Sequence, residues 1–157
     1  EAGPRALGNR SILANPKYLD SRDKVNKIVK FREFWRPFCP SMTENAAKKY
    51  LNKFFISPYM IVTFDANDIA KKEIPAVVHT DGTCRVQIVT QKSSPLYFEL
   101  ITNFALLTGV EVLLNTSFNI KGEPIVCTPY DAIRTFYATG MDALVIGNFL
   151  LKKELIS

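Results

Sequence analysis

Cationic side chains set beside turn-forming residues are the feature of this 157-residue chain with the clearest chemical potential. Arg5 follows Gly3-Pro4, Lys30 and Arg32 flank Phe31, Arg36 precedes Pro37, and Arg85 comes shortly after Asp81-Gly82. Several fixed positive charges suit a polyphosphate, because Arg presents a planar fork to two oxygens and Lys a mobile point charge. Taken one at a time, such residues read as solvated surface charges. A second cluster, Asn115-Thr116-Ser117-Phe118-Asn119, follows an apolar run and precedes a glycine-containing loop. Amide and hydroxyl groups at the end of a strand can orient a phosphate or a carbonyl without moving a proton. The same residues read equally well as a turn that stops the strand.

Other chemistry is disfavoured. His79 is the single histidine, and Cys39, Cys84 and Cys127 have neither zinc-finger nor C-x-x-C spacing, so no protein-held transition metal is expected; a metal here would be the Mg2+ of a nucleotide. Neither G-x-S-x-G nor G-x-x-x-x-G-K-[ST] occurs. A hydrophobic fraction of 47% with 22% charged residues is that of a soluble globular protein, and the +5 net charge favours anionic partners. The odd cysteine count fits a reducing compartment, so cytoplasm is expected. No run is long and apolar enough for a membrane span. The opening residues contain no Met and read like the interior of a longer protein.

The elements that must position these groups are predicted to form one α+β domain with a mixed sheet. Val25, Ile28 and Val29 have helical spacing within 20–30, and 44–54 is also predicted helical. Pro37 and Pro40 impose extended backbone on 35–41. The segment 59–64 is rich in β-formers, and 76–79 and 84–90 flank Asp81-Gly82 as a hairpin would, with Arg85, Gln87 and Val89 on one face. Ser94-Pro95 begins a helix in which Leu96, Leu100, Phe104 and Leu107 form a stripe that ends at Gly109. A buried strand over 110–115, a short strand over 122–126, a capped helix over 128–139 closed by Gly140 and a strand pair over 142–153 complete the expectation.

Four ordered blocks then carry a resemblance. They are Gly3-Pro4-Arg5-Ala6-Leu7-Gly8-Asn9-Arg10-Ser11-Ile12; Lys30-Phe31-Arg32-Glu33 with Arg36-Pro37-Phe38; His79-Thr80-Asp81-Gly82-Thr83 with Arg85 and Gln87; and Leu113 through Asn119 with Gly122-Glu123-Pro124. In these the chain resembles the C-terminal domain of the nodulation and antibiotic-tailoring O-carbamoyltransferases, over nearly its whole length. The resemblance implies a YrdC-like fold, a twisted mixed sheet with flanking helices, whose K-x-R and S-x-N motifs match Lys30-Phe31-Arg32 and Ser117-Phe118-Asn119. It implies that ATP, with its Mg2+, and carbamoyl phosphate react here to give carbamoyl adenylate. A preceding ASKHA-type domain, outside this chain, would hold iron and pass the carbamoyl group to a hydroxyl. Catalytic roles are implied for Lys30, Arg85 and Ser117, and substrate contacts for Arg5, Arg32, Arg36, His79, Asn115 and Asn119. Phe31 or Phe118 would pack under the site. Cys39 and Glu111 depart from the family pattern and are expected not to touch it. A threonylcarbamoyl-adenylate synthase-like domain and an RNA-binding module are the alternatives, and nucleic acid is not the expected partner.

Overall fold

The computed structural model describes residues 8–33 and 35–153. Its strands and helices divide between two compact units, one formed by the described part of Glu1–Arg22 with Pro37–Ser117, the other by Asp23–Arg36 with the described part of Phe118–Ser157. The architecture is α+β with a mixed sheet, as expected.

In the first unit, β1 (Ser11–Ala14), β2 (Cys39–Met42), β5 (Gln87–Ile88) and β6 (Val112–Ser117) form a four-stranded sheet in the order β1-β6-β2-β5. The β1–β6 and β2–β6 pairs are antiparallel and β2–β5 is parallel. Strand β6 lies between two neighbours and buries Val112, Leu113, Leu114 and Asn115, which is why 110–115 reads as a near-continuous apolar run. Asn115 sits in a polar knot within this core. Its Nδ2 lies 2.9 Å from Ser41 Oγ, 3.1 Å from Gln87 Oε1 and 3.1 Å from Tyr97 Oη, and Ser41 Oγ donates to Gln87 Oε1 at 2.6 Å. Gln87 Nε2 donates to the Pro58 carbonyl at 2.9 Å.

Above this sheet lies α4 (Pro95–Thr108), which starts at Pro95 and ends on Gly109 in the left-handed conformation (φ 79°), as its sequence signals predict. Ser94 makes no side-chain cap, and the apolar stripe is corrected. The buried residues are Tyr97 and Ile101, which cluster with Val89 and Leu113, and Leu13, Phe98 and Phe104 are partly buried against that cluster. Leu96, Leu100 and Leu107 are exposed.

The expected hairpin also differs. The Asp81-Gly82 turn forms, with Gly82 at φ 81° donating its N–H to the His79 carbonyl. Pro75 starts a short 3-10 turn, Pro75–Val77, in place of a strand at 76–79. Strand β4 (Thr83–Arg85) therefore pairs with β3 (Thr63–Asp65), the one part of 59–64 that is extended into a ladder; Met60 has a left-handed φ of 57°. The chain changes sheets at Val86, so Gln87 and Val89 are buried and do not share Arg85's exposed face. Helix α2 (Glu44–Tyr50) stops before 54, because Leu51 is extended and bridges Ala66. Helix α3 (Asp68–Glu73) is capped by Asn67.

Helix α1 (Leu19–Lys24) continues into a π-helical turn, Val25–Val29. In the second unit this wider turn buries Asn26 beside Val25 and Val29, leaving Ile28 on the rim at 36% exposure. Helix α5 (Pro129–Tyr137) begins with a complete capping box: the Thr128 hydroxyl accepts from the Asp131 N–H, and the Asp131 carboxylate accepts from the Thr128 N–H. Strands β7 (Ala143–Ile146) and β8 (Phe149–Lys152) pair as expected, whereas 122–126 forms no strand.

Gly140 is not the left-handed cap that its position suggests. Helix α5 ends at Ala138 with helical angles, and the glycine serves a close approach. Its N–H donates to the Ile28 carbonyl at 2.8 Å, and an added Cβ would lie 2.3 Å from Ile28 Cδ1 and 3.1 Å from Ile28 Cβ. Gly140→Ala should therefore cost about 1–3 kcal/mol by overpacking. In an Ile28→Ala background the same change should cost less, which a double-mutant cycle by chemical denaturation will measure.

Candidate functional site

In the second unit, the structure brings together residues from two of the sequence blocks. Lys30 is 5% exposed, and its Nζ donates to the Asn119 carbonyl at 2.8 Å and to Asn119 Oδ1 at 2.6 Å. Asn119 Nδ2 in turn donates to the Glu123 carbonyl at 2.8 Å, and Glu123 holds Arg134 through two oxygens at 3.1 and 2.9 Å. Phe31 adopts a left-handed φ of 49°, uncommon for an aromatic residue, and stands half exposed between the inward-turned Lys30 and the partly buried Arg32. Strain of this kind is found where a chain must aim side chains.

Arg32 is held by a residue that the sequence reading missed. Its Nε donates to Asn26 Oδ1 at 2.7 Å, while Asn26 Nδ2 donates to the Arg36 carbonyl at 3.0 Å. Asn26 is fully buried. Its signal was an amide among Val25, Ile28 and Val29, legible only once the turn is known to be π-helical. Arg36 forms an exposed pair with Glu33 at 3.3 Å. The Glu33 carboxyl is held below its ordinary range first by a backbone hydrogen bond, then by the charges of Arg36, Lys121 and Arg32, so this segment carries a positive field. Lys121 was another residue that the sequence reading did not select.

In the first unit, Arg85 lies opposite Thr63 and is exposed, with Nε donating to Cys39 Sγ at 3.1 Å. Cys39 therefore touches a candidate site residue, contrary to expectation. Glu111 instead bonds Thr43, the cap of α2. His79 Nδ1 lies 3.2 Å from the Thr83 hydroxyl, which donates to Asp81 at 2.8 Å. Burial pushes the His79 pKa down; Asp81 opposes that shift and the Arg85 charge adds to it. Ser117 is partly buried at the end of β6 opposite Ser11. Asn115, 1% exposed, is committed to the polar knot in the core. Phe118 is buried. Arg5 lies outside the described residues.

The site residues thus fall into a Lys30–Arg32–Asn119 group in one unit and a His79–Arg85 group in the other. Each combines cations with amide or hydroxyl groups, an equipment for holding an anion. Among the described residues no helix is long and apolar enough to cross a membrane.

Comparison with known sequences places the chain in a family. The family described as Carbamoyltransferase C-terminus matches residues 1–153, and the chain belongs to that family. Nodulation protein NolNO of Sinorhizobium fredii is 44% identical over 164 residues, covering 100% of this chain and 24% of that protein. Nodulation protein NolO of Bradyrhizobium diazoefficiens is 43% identical, covering 98% of this chain and 29% of that protein. The 3'-hydroxymethylcephem-O-carbamoyltransferase of Amycolatopsis lactamdurans is 36% identical, covering 94% and 28%. The chain spans about a quarter of the length of these relatives.

The lowered His79 pKa has a direct consequence for stability. As pH falls below the ordinary histidine value of 6.5, the unfolded chain binds a proton that the folded chain resists, so stability is lost on acidification. Denaturation midpoints should fall between about pH 7 and about pH 5.5, and His79→Gln should flatten that slope. An unchanged slope in the variant would assign the dependence to other groups.

Proposed function

We propose that this domain binds ATP and carbamoyl phosphate and forms carbamoyl adenylate, which a preceding ASKHA-type domain of the same polypeptide uses to carbamoylate an acceptor hydroxyl. The observation that carries this reading is the Lys30–Asn119 contact, which joins the first residue of the K-x-R motif to the last residue of S-x-N. Membership of a carbamoyltransferase family and a relative whose name states O-carbamoyl transfer support the reaction class.

Water cleaves carbamoyl phosphate to carbamate and phosphate. A carbamate oxygen then attacks the α-phosphorus of ATP, and the bond to pyrophosphate breaks. No side chain need form a covalent intermediate, so positioning and charge neutralisation supply the catalysis. Lys30 and Arg32 meet nucleotide phosphate oxygens, with Asn119 orienting Lys30. Arg36 and Arg5 act as further cationic clamps. Arg85 and His79 hold carbamoyl phosphate, with His79 neutral and hydrogen bonding rather than carrying charge. Ser117 orients a phosphate or carbamoyl oxygen, and Asn115 acts from the core by fixing the strand that presents Ser117. Mg2+ enters with ATP as part of the substrate and screens its phosphates. Iron belongs to the preceding domain, and no step here passes through it.

The test is ATP-dependent pyrophosphate release from carbamoyl phosphate by the full-length enzyme, with carbamoyl adenylate identified by mass spectrometry. Lys30→Ala, Arg85→Ala and Ser117→Ala should each lower the rate by about 100-fold or more while the variants stay folded by circular dichroism. Wild-type rates in all three would overturn the assignment. Threonine- and bicarbonate-dependent product would instead favour the threonylcarbamoyl-adenylate reading.

A further inference from the structure

The outer face of α4 is at odds with the other helices of its unit. Leu96, Leu100 and Leu107 lie at spacings of four and seven residues, which places them on one stripe, and they are 80%, 47% and 87% exposed. Leu106 beside them is 85% exposed. Glu99 is the sole charged residue within Pro95–Thr108. Helices α2 and α3 show what a solvated face in this unit looks like: Lys48 pairs with Glu44 at 2.9 Å and Lys71 with Asp68 at 2.9 Å, both on exposed surface. Singly exposed leucines are ordinary, but a contiguous leucine stripe on one well-formed helix marks a surface that is covered.

We infer that the leucine face of α4 is the docking surface for the polypeptide that precedes this region in the full-length protein. Relatives of this chain are about four times its length, so most of the protein lies outside it. Size decides between that occupant and a second copy. A helix of 14 residues is about 21 Å long, and one face about 10 Å wide gives a footprint of about 200 Å², far short of the roughly 800 Å² per partner of a stable free complex. A tethered partner is held at about millimolar effective concentration, so a strip of this size can contribute to a stable interface with it. The apolar, nearly uncharged stripe calls for a similarly apolar surface on the partner. This inference rests on family membership and on relative length; adenylate formation plays no part in it.

The test is maleimide labelling of the full-length polypeptide, with rates read peptide by peptide by mass spectrometry and no substrate present. Leu107→Cys should react at least about ten-fold more slowly than Lys72→Cys on exposed α3, with rates that do not change on dilution. Adding Leu96→Asp and Leu100→Asp should speed labelling at position 107 while leaving that at position 72 unchanged. Equal rates at the two positions would overturn the inference. Protection at position 107 that is lost on dilution would overturn it in favour of a second copy.

Discussion

A lysine ammonium withdrawn from water must recover its hydrogen bonds from the protein, or the folded state carries a cost of several kcal/mol. Lys30 meets this constraint with both oxygens of Asn119, 89 residues further along the chain. The bond therefore fixes more than one side chain: it ties the segment after the π-turn to the loop after β6. Asn119 can serve only because its own amide nitrogen is anchored on the Glu123 carbonyl, and Glu123 is in turn paired with Arg134 of α5. The close approach of Gly140 to Ile28 belongs to the same unit and joins the π-turn to the residues after α5. These oxygens solvate the ammonium without adding a negative charge of their own, so the lysine keeps its positive charge uncompensated by them.

The first unit solves a different problem, the burial of amides. Gln87 and Asn115 are both inaccessible, and the Asn115 amide nitrogen, both ends of the Gln87 amide and the Ser41 hydroxyl are engaged in one network with Tyr97, while Asn115 Oδ1 is left without a partner among the described residues. Ser41 comes from β2, Gln87 from β5, Asn115 from β6 and Tyr97 from α4, so one network spans three strands and the covering helix. A one-residue slip of β6 would turn Asn115 away from these partners and leave several buried polar groups unpaired, so the knot specifies register as well as filling space.

Much of this was legible where the signal is local. Pro95 and Gly109 bound α4, Thr128 with Pro129 starts α5, and the apolar run before Asn115 is β6, because start, stop and burial signals act over a few residues. Tertiary competition defeated the rest. The β-formers before Thr63 stay outside the ladder, and the partner of β4 comes from before α3 where the Asp81-Gly82 turn suggested an adjacent hairpin. The π-turn exchanged Ile28 for Asn26 on the buried side, hiding the amide that holds Arg32. The stripe on α4 was recognised as apolar, but periodicity cannot say which of two apolar faces meets the core; Tyr97 and Ile101 do.

The candidate residues around β6 show how position sorts chemistry that sequence motifs leave together. Asn115 and Ser117 are two apart on one strand and so share a face, yet Asn115 lies under α4 with its amide engaged by Tyr97, whereas Ser117 is at the strand's end and only partly buried. Phe118 is buried, and the next residue turns its amide to Lys30. Within five residues the chain passes from a core amide to a hydroxyl at a strand's end and then to an amide that holds a cation. The donor contacts of the amide at position 115 are all within the core, with Ser41, Gln87 and Tyr97. Ser117 and Asn119 are different: neither is sealed in the interior, and the pairing of Asn119 with Lys30 makes the end of the motif part of a cationic cluster. The physical distinction is therefore between polar groups that stabilise the scaffold and polar groups that the scaffold presents.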